Sequence, residues 1–317
     1  MQTPLNLGAD VASKRIVVAC AARSFAPRSL ANERGALGAW LKGLPAGSRI
    51  GLEATGAHHR LLADMAHAAG LVVYVLNPRD VKKYAQGVGR RGKTDRLDAE
   101  VIARYIAREH EDLHPYVPRS AAAQRLEQLL KRRAKLMSLQ ARLAPTWRGV
   151  PGMAAELAAV AAAYARLLKR VDDLLQEAIA ELPEVAAVAA QVRTIPGYGA
   201  LSSVAVAHAM RWLPFTNVDA FIAHTGLDPR ARDSGDMHGR RRISKRGSPT
   251  LRSILHMCGM SASRTTTWRP YYERQLAKGL SPTEAVMILA RKLARTAYGV
   301  CTSNTPFNPT RVMMSST

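Results

Sequence analysis

Two aspartates three residues apart, Asp95 and Asp98, stand at the start of a predicted helix. At this spacing both side chains lie on one helical face, about one turn apart. Neighbouring carboxylates repel each other and are best tolerated with a cation between them, and Mg²⁺ prefers such hard oxygen ligands. The pair also fits the ordinary enrichment of acids in the first turn of a helix, where they complement the helix dipole.

Two further acids end predicted strands. Asp10 closes the first strand, and Glu53 closes a later strand of the same predicted sheet. Acids at strand ends cost desolvation, so several of them at one edge indicate a shared function. Together with Asp95 and Asp98 they predict a site for one or two Mg²⁺ or Mn²⁺ ions, which would orient a phosphodiester and neutralise charge during its displacement.

A serine in a basic loop is the candidate nucleophile. Ser234 precedes Gly235 in a polar loop, a combination that usually marks a turn. Arginines around it favour bidentate phosphate binding, and a hydroxyl held there near a metal ion could attack phosphorus. Ser244 and Ser248, in the same stretch, are alternatives. The predicted nucleic-acid-binding residues are Arg230, Arg232, Arg240, Arg241, Arg242, Lys245 and Arg246.

Charge and composition narrow the class of protein. The 317 residues carry 46 Lys and Arg against 24 Asp and Glu, a formal net charge of +22. A globular chain this basic typically binds a polyanion, most often nucleic acid. The three cysteines are far apart in sequence, which argues against a zinc site or a disulfide scaffold. No apolar run is long enough for a membrane span and no signal peptide is evident, so we expect a soluble cytoplasmic protein.

The first third of the chain predicts an α/β domain. Strands are expected at 5–10, 15–21, 49–56 and 71–76, with helices at 31–43 and 57–69. A hairpin followed by strand–helix–strand indicates a mixed sheet.

The segment 120–184 predicts two long helices with a break near Pro145 to Pro151. Sustained heptad-like spacing favours a coiled coil. Two amphipathic helices buried in one domain would give the same periodicity. The apolar positions are Leu129, Leu136 and Leu143, and then Leu157, Val160, Tyr164, Leu167, Val171, Leu174 and Ala178. Shorter helices follow, among them 250–263 and 282–300.

Motifs spread over residues 7 to 307 resemble the DEDD transposases of bacterial insertion sequences, whose recombinases are guided by a structured bridge RNA. In chain order they are Gly8-Ala9-Asp10-Val11, Glu53-Ala54-Thr55-Gly56, Asn77-Pro78, Lys93-Thr94-Asp95 through Asp98-Ala99, Ile195-Pro196-Gly197-Tyr198-Gly199, Phe221 through Arg230, Ser234-Gly235 and Ser244-Lys245-Arg246-Gly247.

The resemblance implies three parts. Residues 1–118 would form an RNase H-like, resolvase-like domain with the metal-binding acids Asp10, Glu53, Asp95 and Asp98. Residues 119–190 would form coiled-coil helices, and 191–317 a mainly α transposase domain in which Ser234 becomes a phosphoserine. The partners would be donor and target DNA and a guide RNA, in a dimer of dimers whose active sites combine acids and serine from different subunits.

The leading hypothesis is therefore an RNA-guided DNA recombinase that moves an insertion sequence. In the alternative, the acids serve a metal-dependent DNA junction nuclease that uses water as its nucleophile, and Ser234 is a turn residue. A covalent protein–DNA adduct is expected only for the recombinase. A protein that binds DNA or RNA without catalysis is the hypothesis outside the enzymes, and Mg²⁺-dependent activity on a DNA junction would exclude it.

Overall fold

The computed structural model describes residues 3–22, 25–54, 58–89, 92, 94–147, 149–213, 215–230 and 241–310. The chain separates into two compact units, Met1–Pro118 and Arg119–Thr317. The finer division into three parts, with the helices of 119–190 as a separate segment, stays a prediction. No helix among the described residues is both long and apolar enough to cross a membrane.

The strands of the first unit are β1 (Asn6–Val11), β2 (Arg15–Cys20), β3 (Arg28–Ala31), β4 (Arg49–Glu53) and β5 (Val72–Leu76). Its helices are α1 (Arg34–Lys42), α2 (His59–Ala68), α3 (Pro78–Gly87) and α4 (Asp95–Glu109), followed by a 3₁₀ turn at His110–Asp112.

These strands form one mixed sheet in the order β3-β2-β1-β4-β5. The first three strands are antiparallel, and β1, β4 and β5 are parallel. This arrangement confirms the predicted α/β class with a mixed sheet and is compatible with an RNase H-like fold. Two elements were not predicted: β3, which ends at Ala31, where a helix was expected to begin, and α3, which follows directly after Asn77.

Helices cover both faces of the sheet. Leu7, Ala9 and Val11 of β1 are buried in a core shared with α1 and α2. The intervening residues of β1 point to the opposite face, because side chains alternate along a strand. There α4 packs across β1 and β4, and Ile102 and Ile106 are fully buried.

A pair of glycines allows α4 to approach the sheet closely. Gly8 of β1 and Gly51 of β4 are register partners. A Cβ at Gly8 would lie 2.2 Å from the backbone nitrogen of Ala103 and the carbonyl oxygen of Ala99. A Cβ at Gly51 would lie 2.4 Å from Ile106. The two glycines therefore form a trough, and α4 lies in it.

The helices of the second unit are α5 (Ala121–Thr146), α6 (Ala154–Ala180), α7 (Pro183–Val192), α8 (Ala200–Trp212), α9 (Val218–Thr225), α10 (Pro249–Ala262), α11 (Arg269–Ala277) and α12 (Pro282–Ser303). Two short strands, β6 (Pro229–Arg230) and β7 (Arg242–Ile243), pair antiparallel. The unit is mainly helical, as predicted.

The long helices α5 and α6 have fully buried side chains at one end only, among the residues described. Near Arg119, Val171 and Leu175 of α6 share the unit's core with Leu126 of α5. Ion pairs join the two helices there, Arg133 to Asp172 at 2.5 Å and Arg125 to Glu177 at 2.8 Å. Toward the distal end the side chains of Leu139, Val160 and Leu167 are 38–48% exposed. The two predicted helices exist, but their pairing as a coiled coil is not shown.

The glycine trough gives the first testable expectation. Gly8→Ala places a methyl group against the α4 backbone, which no rotamer change relieves, so we expect a loss of about 3 kcal/mol, the upper part of the usual range for overpacking, in the free energy of unfolding. Gly35→Ala in α1 is the control, because a Cβ there meets nothing within 4 Å. It should stabilise the chain by up to about 1 kcal/mol. Urea denaturation followed by circular dichroism measures both, and equal stabilities would contradict the close crossing.

Candidate active site

The register of β1 and β4 brings two of the four acids together. Ala9 pairs with Leu52 in parallel strands, so Asp10 and Glu53 follow side by side at the carboxyl ends. Each lies two residues after a glycine of the trough and therefore points to the α4 face. Both side chains are half-buried. The sequence-based expectation that these acids share one edge thus has a geometric basis.

The first turn of α4 lies at the same edge. Ala99 crosses over Gly8, so Asp98 and Asp95 precede that crossing on the side of the strand's carboxyl end. Arg15 begins β2 beside that end of β1, and its Nη2 lies 2.5 Å from Oδ2 of Asp95. Both side chains of this pair are more than half exposed. Thr94 caps the helix, accepting a hydrogen bond from the Leu97 amide at 3.2 Å.

The four acids therefore lie on one face and at one edge, but they do not yet converge as ligands. Among the residues described, no group of three or more His, Cys, Asp or Glu side chains is arranged to hold a metal ion. The carboxylate of Asp95 is engaged by Arg15. All donors are carboxylate oxygens, a set that suits Mg²⁺ or Mn²⁺ and disfavours softer metals.

The candidate nucleophile Ser234, with Arg232 and Arg240, lies outside the described residues. The residues that flank this segment are described. Arg230 of β6 and Arg242 of β7 are direct cross-strand partners and both are exposed. Like charges directly opposite each other destabilise a strand pair. An anion between them would remove that penalty, so this neck of the loop favours a phosphate.

Hydrogen bonds among the neighbouring residues support this strand pair. The Ser244 hydroxyl donates to the Asp228 carboxylate, and the Arg246 amide donates to the same hydroxyl at 3.2 Å. The Ser248 hydroxyl accepts from the Leu251 amide at 3.2 Å and so caps α10. Both alternatives to Ser234 thus make structural hydrogen bonds, which sequence reasoning did not foresee.

Two of the sequence motifs meet in this scaffold. A Cβ at Gly247 would lie 2.0 Å from the His224 carbonyl oxygen. Gly226 ends α9 in the left-handed conformation, with φ at 70°. The Lys245 amide donates to the Gly226 carbonyl at 3.1 Å, and Lys245 itself has φ at 56°. The Gly-Leu-Asp-Pro-Arg motif and the Ser-Lys-Arg-Gly motif therefore form one backbone crossing.

A cavity of about 290 Å³ adjoins the crossing and contains two histidines, His208 and His224. Burial, with a smaller contribution from Arg119, lowers the pKa of His224 to about 4. Burial also lowers the pKa of His208, whose Nε2 lies 3.0 Å from the Ala123 carbonyl. Both rings are therefore neutral at pH 7, and the charged groups facing them are Arg119, Glu127 and Lys131.

Because the buried His224 ring is neutral in the folded protein, the stability of the protein depends on pH. Its folded pKa of about 4 lies below the ordinary value of 6.5. Between these values the unfolded chain takes up a proton that the folded chain does not, so stability falls as pH decreases from about 6.5 to 4, by at most about 3 kcal/mol. Urea titrations across this range should show a smaller loss for His224→Gln. His114→Gln, at an exposed site, is the control and should leave the loss unchanged; equal curves for all three proteins would exclude this role for His224.

Comparisons with known proteins match both units. The model of the DEDD transposases of the IS110 type matches residues 7–150. A second model, described as the transposase IS116/IS110/IS902 family, matches residues 189–273.

Relatives of similar length carry related names. The chain is 28% identical over 268 residues to the pilin gene-inverting protein of Moraxella lacunata, covering 81% of both chains. It is 27% identical over 300 residues to a probable family 20 transposase of Pseudomonas aeruginosa, covering 82% of this chain and 86% of the relative. The two family models match parts of both units, with the four acids inside the first match and Ser234 inside the second. The chain belongs to the IS110 family of DEDD transposases and is a DNA transposase or recombinase.

Proposed function

We propose that this protein is an RNA-guided DNA recombinase that exchanges strands through a phosphoserine on Ser234. The observation that carries the proposal is the placement of Asp10, Glu53, Asp95 and Asp98 on one face and at one edge of the sheet. Acids gathered at the carboxyl ends of strands, in a protein of net charge +22, support chemistry on a phosphodiester.

The four carboxylates would hold one or two divalent ions, Mg²⁺ or Mn²⁺. Bound there, the ion supplies positive charge that stabilises the oxygens of the reacting phosphate. Asp95 must leave Arg15 to join such a site, and an exposed pair of this kind is worth only about 0–1 kcal/mol. The glycine trough holds the backbone of α4 close to the strands that carry Asp10 and Glu53.

In the proposed first step the Ser234 oxygen forms a bond to phosphorus, and the bond from phosphorus to the leaving strand's oxygen breaks. The serine proton passes to solvent water, and the leaving oxygen takes up a proton from water. The arginine pair Arg230 and Arg242 would neutralise the phosphate held at the loop neck. Because the phosphodiester is exchanged rather than hydrolysed, a hydroxyl of the incoming strand reverses the step and reseals the DNA.

Guidance by RNA and assembly into a dimer of dimers complete the proposal. With base pairing to the guide selecting the sequence, the protein needs mainly contacts to phosphates, and its excess of basic residues supplies them. The acids belong to one compact unit and the serine loop to the other. The acids and the serine of one active site can come from one subunit or from two. We propose that they come from different subunits.

Removing the proposed nucleophile gives the sharpest test. Ser234→Ala should bind DNA and RNA normally but give no covalent protein–DNA adduct and no strand exchange. Ser234→Cys should retain a trace of activity, because a thiolate forms more readily. Denaturing gels of reactions on labelled DNA measure the adduct. Recombination by Ser234→Ala at a near-normal rate would exclude the serine mechanism and favour a nuclease that uses water.

Removing an acid should abolish the reaction in a different way. Asp10→Asn should lose strand exchange at any Mg²⁺ concentration while retaining nucleic-acid binding, since the basic surfaces are unchanged. Mixing Asp10→Asn with Ser234→Ala chains should restore part of the activity, because an intact acid group and an intact serine then meet between subunits. An inactive mixture in which both variants assemble would contradict the composite site.

The exposed end of the α5–α6 pair gives a test of assembly. Leu167 is 48% exposed in the single chain, so we expect it to pack against a helix of another subunit. Leu167→Glu should lower the oligomer mass measured by analytical ultracentrifugation at micromolar protein. Ala165→Glu adds the same charge on another face of α6 and is the control. Equal masses for the two variants would show that this face is not the interface.

A further inference from the structure

A second positively charged feature lies in the first unit, apart from the acid edge. One face of α4 carries Arg96, Glu100, Arg104 and Arg108, each one helical turn from the next. These side chains form one wall of a groove of about 880 Å³. The opposite side is lined by the small residues 19–22 at the end of β2, by Phe25 and by Pro27.

The charge in the groove is concentrated at its far end. Arg96 is paired with Glu100 at 3.1 Å, so that pair is neutral. Arg104 and Arg108 have no carboxylate partner in the described part of the chain, and Arg108 is exposed. Two guanidinium groups one turn apart, opposite a wall whose described residues carry no charge, form a surface for an anion, and arginine in particular suits phosphate.

The dimensions of this wall fit a polymer rather than a single anion. Arg96 and Arg108 are twelve residues apart, about 18 Å along a helix. A strand of duplex DNA advances about 3.4 Å per phosphate, so about five nucleotides would match that length. An acidic peptide offers no comparable regular spacing of charge, and the shallow alanine side offers little for peptide side chains to fill.

The groove runs along α4, away from the acids at the start of that helix. The same helix begins with Asp95 and Asp98 at the carboxyl ends of β1 and β4, and Arg104 and Arg108 lie toward its other end. We propose that a nucleic-acid strand engaged at the acid edge continues along α4 and is held there through its phosphates by Arg104 and Arg108. This names the path of the strand in the proposed recombinase and rests on that function, whereas the binding itself requires no catalysis.

The test measures how binding depends on salt. The full chain and Arg104→Gln/Arg108→Gln are titrated against labelled duplex DNA, single-stranded DNA and single-stranded RNA, in EDTA, between 50 and 200 mM NaCl. Loss of two phosphate contacts should reduce the slope of log affinity against log salt by about 1.8 for a duplex or about 1.4 for a single strand. When the salt concentration rises fourfold, both proteins lose affinity for a duplex. The factor by which the variant loses affinity should be about ten times smaller than the factor for the unchanged chain. The nucleic acid with the reduced slope identifies the strand.

Two further variants make the result specific. Arg34→Gln/Lys42→Gln removes two exposed charges from α1, which does not line the groove, and should leave the slope unchanged. Arg104→Lys/Arg108→Lys keeps both charges and should keep the slope. An unchanged slope for the glutamine variant overturns the proposal, as does an equal loss in the lysine variant or in the α1 control.

The outcome separates this surface from the proposed chemistry. A reduced slope for the glutamine variant, together with strand exchange by Asp10→Asn, would leave the strand path standing and remove the catalytic role of the acids. The reverse result, an inactive Asp10→Asn and an unaltered slope for the glutamine variant, would remove the path and leave the catalytic role.

Discussion

The close crossing of α4 over the sheet is the constraint on which the first unit depends. Gly8 and Gly51 are register partners, and neither position accepts a Cβ without a clash against α4. Glycine inside a strand costs conformational entropy and contributes no side chain to the core. The burial of Ile102 and Ile106 against the sheet offsets that cost. The crossing also fixes how far along β1 the helix begins, and so places its first-turn acids.

The second unit holds two side chains of like charge close together. The strand pair below the Ser234 loop is only two residues long on each side and has arginines facing each other. What holds it is the contact between Asp228 and Ser244 and the backbone crossing at Gly226 and Gly247. Like charges are thus kept close by one side-chain hydrogen bond and by close backbone contacts. Such a neck has a favourable place for an anion before any ligand arrives.

Much of this fold was predictable because it follows local patterns. The hairpin, the mixed sheet, the two long helices and α10 and α12 all follow from apolar periodicity and from proline and glycine signals. The strand β3 was missed because it is short, lies at the sheet edge and is mostly exposed, so no alternation marks it. Helix α3 was missed because Asn77 and Pro78 looked like the end of a strand; they are also its cap and first residue.

The site was predictable in composition but not in its contacts. The order of the acids along the chain indicated a common edge, since carboxyl ends of parallel strands meet there. The Arg15 to Asp95 contact joins residues eighty positions apart, and no local pattern signals it. The same holds for the contact of Asp228 with Ser244. It also holds for the fully buried described residues of α5 and α6, which lie at one end although the heptad spacing runs along both helices.

The exposure of the Arg15 and Asp95 ion pair determines how easily Asp95 can exchange its partner. Separating a buried ion pair would cost several kcal/mol, so a buried Asp95 would stay paired with Arg15. Here both side chains are mostly in solvent, so the contact forms and breaks at little cost and weakens as ionic strength rises. Arg15 therefore acts as an exchangeable counter-ion, and Asp95 can change partners without any change in the backbone.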